Sequence, residues 1–169
     1  MRRGGTPPGA GRRTGAVAVA VALVALGGAC ALDAPAAVPL PQGDAQVFAA
    51  RAQPALDARC AEPSCHGDAR RPFAIYSPGR RRADPARLHL IEPLDDDELE
   101  ANALAVAALA LEPLAAGAPL AGCLVLCKPL AVPAGGCGHV VGPVFAAPDE
   151  RHYQDLRAYL DTLAWEEGP

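Results

Sequence analysis

The segment Cys60-Ala61-Glu62-Pro63-Ser64-Cys65-His66-Gly67 holds the residues best suited to chemistry, two thiols separated by four residues with an imidazole directly after the second. Two cysteines and an adjoining histidine suit covalent haem capture. The thiols can form thioethers with the two vinyl groups of one porphyrin, while the imidazole reaches the iron from one face. The commonest attachment motif spaces its cysteines by two residues, and this one departs from it. The same atoms support two other chemistries. Cys60 and Cys65 could close a disulfide in an oxidising compartment, or could join further Cys and His ligands around zinc. A disulfide leaves His66 without a role, and cysteine-rich zinc clusters are less expected outside the cytoplasm.

Three cysteines lie later in the chain, Cys123, Cys127 and Cys137, and an odd number is most simply one disulfide plus one free thiol. With His139 they could instead make a Cys₃His zinc site. A Cys127–Cys137 or a Cys123–Cys137 bridge would fix the loop that carries His139, and spacing leaves the pairing open. Arg80-Arg81-Arg82, between Pro78-Gly79 and Asp84-Pro85, reads as a solvated loop, with pairing to haem propionates as the functional alternative.

Three helical patterns must position these groups. The first spans about Asp44 to Cys60, with Val47, Phe48, Ala52, Ala55 and Leu56 at helical spacing and Pro54 as a kink or a new turn. The second starts at the N-cap Asp95, with Glu98 completing a capping box and Leu94 and Leu99 as a staple, and is expected to reach about Leu111. Its acidic opening, Asp96-Asp97-Glu98, reads as a solvated first turn favoured by the helix dipole. The third runs from about Pro148 or Asp149 to Trp165, with Tyr153, Leu156, Tyr159, Leu160 and Leu163 in one stripe. Segments 67–94 and 112–147 are rich in Pro and Gly and are expected to be loops, and the run Leu124-Val125-Leu126 fits either a strand or a helix.

The attachment segment, preceded by Gln53-Pro54-Ala55-Leu56, resembles the cytochrome c family, in particular the single-haem modules of exported bacterial proteins. A later block, Lys128-Pro129-Leu130, Gly135-Gly136, His139 and Phe145, followed by the Tyr153-to-Trp165 pattern, resembles the same family. The resemblance covers roughly residues 45–165. It implies an all-α, cytochrome c-like helical domain whose N- and C-terminal helices pack together while long Pro/Gly-rich loops wrap one covalent haem c. Cys60 and Cys65 would attach that haem and His66 would be one axial ligand.

The usual methionine is not available as the second axial ligand, because the only methionine is Met1, expected to leave with an export signal. His139, His89, His152, Lys128 or an open position remain. His139 is favoured, since Gly135-Gly136-Cys137-Gly138 gives its backbone freedom to approach a planar ligand and the family-like block has a histidine there.

Residues 1–15 are basic and Gly/Pro-rich, Ala16 to Leu26 are uninterrupted Ala, Val and Leu, and Gly27-Gly28-Ala29-Cys30 follows. This pattern predicts a signal peptide over 1–29. The small residues before Cys30 resemble the lipobox of bacterial lipoproteins, which would make Cys30 the lipidation site, although Gly27 stands where that family prefers Leu. Ordinary cleavage near Ala29 or Ala31 is the alternative. Residues 30–43 would be a flexible tether and 44–169 the haem domain.

The 15 basic residues fall to 11 without Arg2, Arg3, Arg12 and Arg13, against 19 acidic ones, which excludes nucleic acid as a partner for the processed chain. The hydrophobic fraction of 51% includes 38 alanines, and only seven residues are aromatic. A conventional aromatic core is therefore not expected, and a porphyrin would supply the missing apolar bulk. The expectation from sequence is an exported electron carrier in the periplasm or anchored to a membrane through Cys30, doing no bond chemistry, with unidentified redox proteins as donor and acceptor. A disulfide-stapled, non-redox lipoprotein and a haem sensor or peroxidase with an open distal site are the other readings.

Overall fold

The computed structural model describes residues 39–165. The signal reading, Cys30 and the tether as far as residue 38 lie outside the described residues. Among the described residues the fold is all-α, with no strand and two isolated bridges, Gln42 with Ala164 and Leu130 with Phe145. No helix among them is long and apolar enough to cross a membrane.

The first helix, α1, is a continuous run of three segments, Ala45–Val47, a π-helical turn Phe48–Ala52, and Gln53–Arg59. Asp44 caps it, its Oδ1 accepting the N–H groups of Gln46 (2.8 Å) and Val47 (3.0 Å). Pro54 has no N–H to donate to the turn before it, and the widened turn lets Gln53 N–H reach back five residues to the Phe48 carbonyl. Pro54 lies in the first turn of the last segment, Gln53–Arg59, in keeping with the new turn expected there.

The second helix, α2, is Asp96–Ala115. Asp95 and Glu98 form the expected capping box. The helix runs past Leu111, through Pro113 in its last turn, and stops in a Schellman motif: Gly117 has φ +62°, its N–H donates to Leu114 O, and Ala118 N–H donates to Pro113 O. The stop signal is the glycine, four residues beyond the proline.

Glu98 is not solvated. It is buried and paired with Arg82, both side chains being fully inaccessible, with Arg82 Nη2 2.7 Å from Glu98 Oε2. Glu98 Oε1 also accepts the Ala83 N–H (2.7 Å), and Arg82 donates to the carbonyls of Glu92 and Pro93. The arginine run is therefore structural rather than a solvated loop. Arg80 holds Asp57 O and Glu62, Arg81 lies 4.1 Å over the Tyr76 ring, and Arg82 pins the loop to α2.

Leu124-Val125-Leu126 is helical, within the short α3, Leu124–Cys127. The last helix, α4, is Arg151–Leu160, shorter at both ends than the expected span from Pro148 or Asp149 to Trp165. The chain turns at Asp161 and Thr162, and Ala164 then exchanges two backbone hydrogen bonds of 2.9 Å with Gln42. With that pairing, and with Pro41 buried, residues 39–43 pack as part of the compact unit that begins at Pro39.

α1 packs along α4. Phe48 and Tyr159 meet edge-on at 4.8 Å, and Arg51 pairs with Asp155 at 2.9 Å. Phe145 meets Tyr153 edge-on at 5.7 Å, and all four of these aromatics are buried. Four of the seven aromatics are therefore paired in the interior, at the α1–α4 contact and between Phe145 and α4, which gives the molecule a small aromatic core after all. α2 joins α1 through buried amides: Asn102 donates to Gln53 Oε1 and to Tyr76 O, both at 2.8 Å, and accepts the Tyr76 N–H.

Candidate functional site

Cys60 is the residue at which α1 ends, its N–H still bonded to Leu56 O at 2.8 Å. The chain then folds back in hydrogen-bonded turns, with Cys65 N–H to Glu62 O (2.8 Å), His66 N–H to Cys60 O (3.2 Å) and Gly67 N–H to Glu62 O (3.0 Å). Four intervening residues thus form a compact coil that keeps both cysteines and the histidine on one side. Gly67 is required for that coil, because a Cβ there would lie 2.5 Å from Ala61 O.

Cys60, Cys65, His66 and His139 all line one cavity of about 410 Å³, a volume within the ordinary range for cofactor pockets. Its apolar wall comes from loops, from α3 and from α2, including Phe73, Leu109, Val125 and Val144. Arg59 and Lys128 also border it. His89 and His152 do not: His89 is exposed, and His152 Nδ1 lies 3.2 Å from Arg59 Nε on the α1–α4 face. None of Arg80, Arg81 and Arg82 lines the cavity, so their chemistry is spent within the protein.

Each cavity histidine has one ring nitrogen occupied by the backbone. His66 Nδ1 is 2.8 Å from Phe73 O, and His139 Nδ1 is 3.1 Å from Gly142 O. Donation from Nδ1–H to a carbonyl fixes the tautomer and leaves Nε2 with a free lone pair, the arrangement found for metal-bound imidazole. The ring centroids of His66 and His139 are 6.2 Å apart. An imidazole nitrogen ligates a transition metal at about 2.0–2.1 Å and lies about 1.1 Å from its ring centre, so two rings on opposite sides of one metal are about 6 Å apart. Both the donor set and the separation fit a group held between the two rings.

The four sulfur and nitrogen donors do not converge on one point. Among the described residues no three His, Cys, Asp or Glu side chains are close enough to hold a metal ion. That spread disfavours both zinc arrangements, at Cys60/Cys65 and at Cys123/Cys127/Cys137/His139, and suits a ligand as wide as the cavity. Cys60 and Cys65 are free thiols. Burial, reinforced by the nearby Cys65 and opposed by Arg59, pushes the Cys60 thiol up to about 12.

Cys127 and Cys137 are joined by a disulfide, with Cα atoms 5.2 Å apart, and Cys123 is a free, buried thiol. Sequence reasoning did not find the Phe73 carbonyl, Arg59 or Leu109 at the site. Leu109 is one of five leucines on an alanine-rich helix and nothing local singled it out, and the Phe73 carbonyl had no signal either. Comparison with protein-family models, with curated proteins and with solved structures gives no match for this chain.

Proposed function

We propose that this chain is an exported c-type cytochrome that carries single electrons through one covalent haem ligated by two histidines. The observation that carries this reading is the pair of imidazoles 6.2 Å apart across a cavity whose wall also includes Cys60 and Cys65. A bound haem would supply a reversible ferrous/ferric couple. Cys60 and Cys65 would hold the haem as thioethers, and His66 and His139 would ligate its iron. The carbonyls of Phe73 and Gly142 orient the two rings and raise their basicity. Phe73, Leu109, Val125 and Val144 would give the bound haem an apolar surround. Histidine in place of methionine lowers the potential, so the carrier would work in a low-to-moderate range. Export, and anchoring to a membrane through an acylated Cys30, belong to the same proposal, as do protein electron donors and acceptors.

The test is expression with a haem-attachment system followed by a haem-stained denaturing gel and oxidised and reduced optical spectra. Covalent haem with a low-spin spectrum is expected, and His139→Ala is expected to become high-spin. A chain that stays unstained would overturn the haem reading, and an unchanged low-spin spectrum in the variant would overturn the ligand assignment.

A further inference from the structure

His139 lies on a segment that is held differently from the rest of the cavity wall. Among the described residues, the hydrogen bonds of residues 138–143 are local, Gly142 N–H to His139 O (3.0 Å) and His139 Nδ1 to Gly142 O (3.1 Å). Glycines with positive φ flank it, Gly138 at +89° and Gly142 at +93°, and Val140 is 99% and Val141 73% exposed. Such a segment has hinges and little burial of its own, so its position depends on its two ends.

Both ends fasten to the C-terminal side of α3. At the far end, the N–H groups of Val144 and Phe145 donate to Pro129 O at 2.7 and 2.9 Å. At the near end, Cys137 is bonded to Cys127, through its N–H to Cys127 O (2.9 Å) and through the disulfide. Cys127 is buried and Cys137 is exposed, so the bridge has one rigid and one accessible sulfur. Cys123 stands one helical turn before Cys127, but burial raises its pKa and keeps its thiol protonated, which makes internal exchange slow. The bridge is accordingly a target for an external reductant.

We propose that the Cys127–Cys137 disulfide is a thiol-operated latch on His139, whose opening by an external dithiol frees one axial position of the bound haem for a small ligand. The proposal rests on the reading of His66 and His139 as the haem ligands. In the step itself, a thiolate of the dithiol attacks the exposed Cys137 sulfur, and the Cys127 sulfur leaves and takes up a proton. The second thiol of the reductant then displaces Cys137, so the protein gains two thiols and the reductant becomes a disulfide. Two electrons pass from reductant to protein, and the haem iron takes no part.

The experiment uses the full holoprotein in three forms: bridged, reduced with a dithiol and alkylated with iodoacetamide before the haem is reoxidised, and as the Cys127→Ser/Cys137→Ser double variant. Cyanide binding to the ferric protein is followed optically, and amide hydrogen exchange is followed by mass spectrometry. Both unbridged forms should bind cyanide at least tenfold faster than the bridged form. Their amides over residues 138–143 should exchange at least tenfold faster, with those of Asp96–Ala115 unchanged. Equal cyanide rates, or unchanged exchange over 138–143, overturn the latch. The alkylated form guards against a double variant that fails to fold. A low-spin spectrum that persists in His139→Ala overturns the ligand assignment instead, and the exchange measurement separates that failure from a failure of the latch, because it does not depend on what His139 binds.

Discussion

Glu98 shows how one residue can be read correctly for local structure and wrongly for environment. As the third residue of a capping box it was legible from Asp95 alone. Its burial was not, because its partner Arg82 lies in a loop whose path no local pattern specifies. Burial by itself would raise the Glu98 carboxyl, but hydrogen bonds from Arg82 and from the N–H groups of Ala83 and Asp95, with the Arg82 charge, outweigh it and hold the carboxyl at about 2. A carboxylate with a depressed folded pKa contributes stability that is present above its unfolded value and is lost as pH falls towards the folded one. An ordinary glutamate titrates at about 4.5, so this contribution should disappear between about pH 4.5 and 2. Glu98→Gln should flatten the stability profile across that window in denaturant titrations. At neutral pH it should cost about 3–5 kcal/mol, since the Arg82 charge is left buried without its counter-ion. An acid limb as steep as that of the parent would show that Glu98 is not responsible.

At the scale of elements, the seam between α1 and α4 sets the frame on which Cys60 is placed. Phe48 is fully buried in the π-helical turn and meets Tyr159 edge-on at 4.8 Å. Phe48→Ala is expected to destabilise the protein by about 3–5 kcal/mol, seen as a lower denaturant midpoint. By contrast, Arg51→Ala removes a half-exposed ion pair with Asp155 and should cost no more than about 1 kcal/mol. A small effect of Phe48→Ala would mean that the seam does not hold the fold. The helices were legible in the sequence because their caps and apolar spacing are local, as at Asp95 and along Tyr153, Leu156 and Leu160. Their ends were less so. Gly117 stops α2 through a Schellman motif that tolerates Pro113 upstream, and α4 ends early because Ala164 is paired with Gln42. A hydrogen bond to a residue more than a hundred positions away outweighs a continuing helical pattern.

For the molecule as a whole, alanine-rich composition and few aromatics pointed to an underfilled centre, and the fold answers this in two parts. The buried aromatics gather at the α1–α4 and Phe145–Tyr153 contacts, while a cavity of about 410 Å³ stays between the loops and α2. On the proposed function, filling that cavity with a covalent group should stabilise the native state, since a ligand attached only in the folded arrangement shifts the equilibrium towards it. The haem-free chain should therefore melt at a lower temperature and less cooperatively than the holoprotein; equal melting curves would show that the cavity wall supports itself. The sequence by itself determined the residues with chemical capacity, Cys60, Cys65, His66 and His139, and the beginnings of α1 and α2, because donor chemistry and helix capping are properties of residues and their near neighbours. Only the tertiary structure decided that His66 and His139 line one cavity with ring centroids 6.2 Å apart, that Cys137 pairs with Cys127 and not with Cys123, and that Arg82 serves Glu98 and not a ligand. Each of these joins groups whose separation is set by how loops without regular structure cross the helices, and that crossing is fixed by packing over the whole chain.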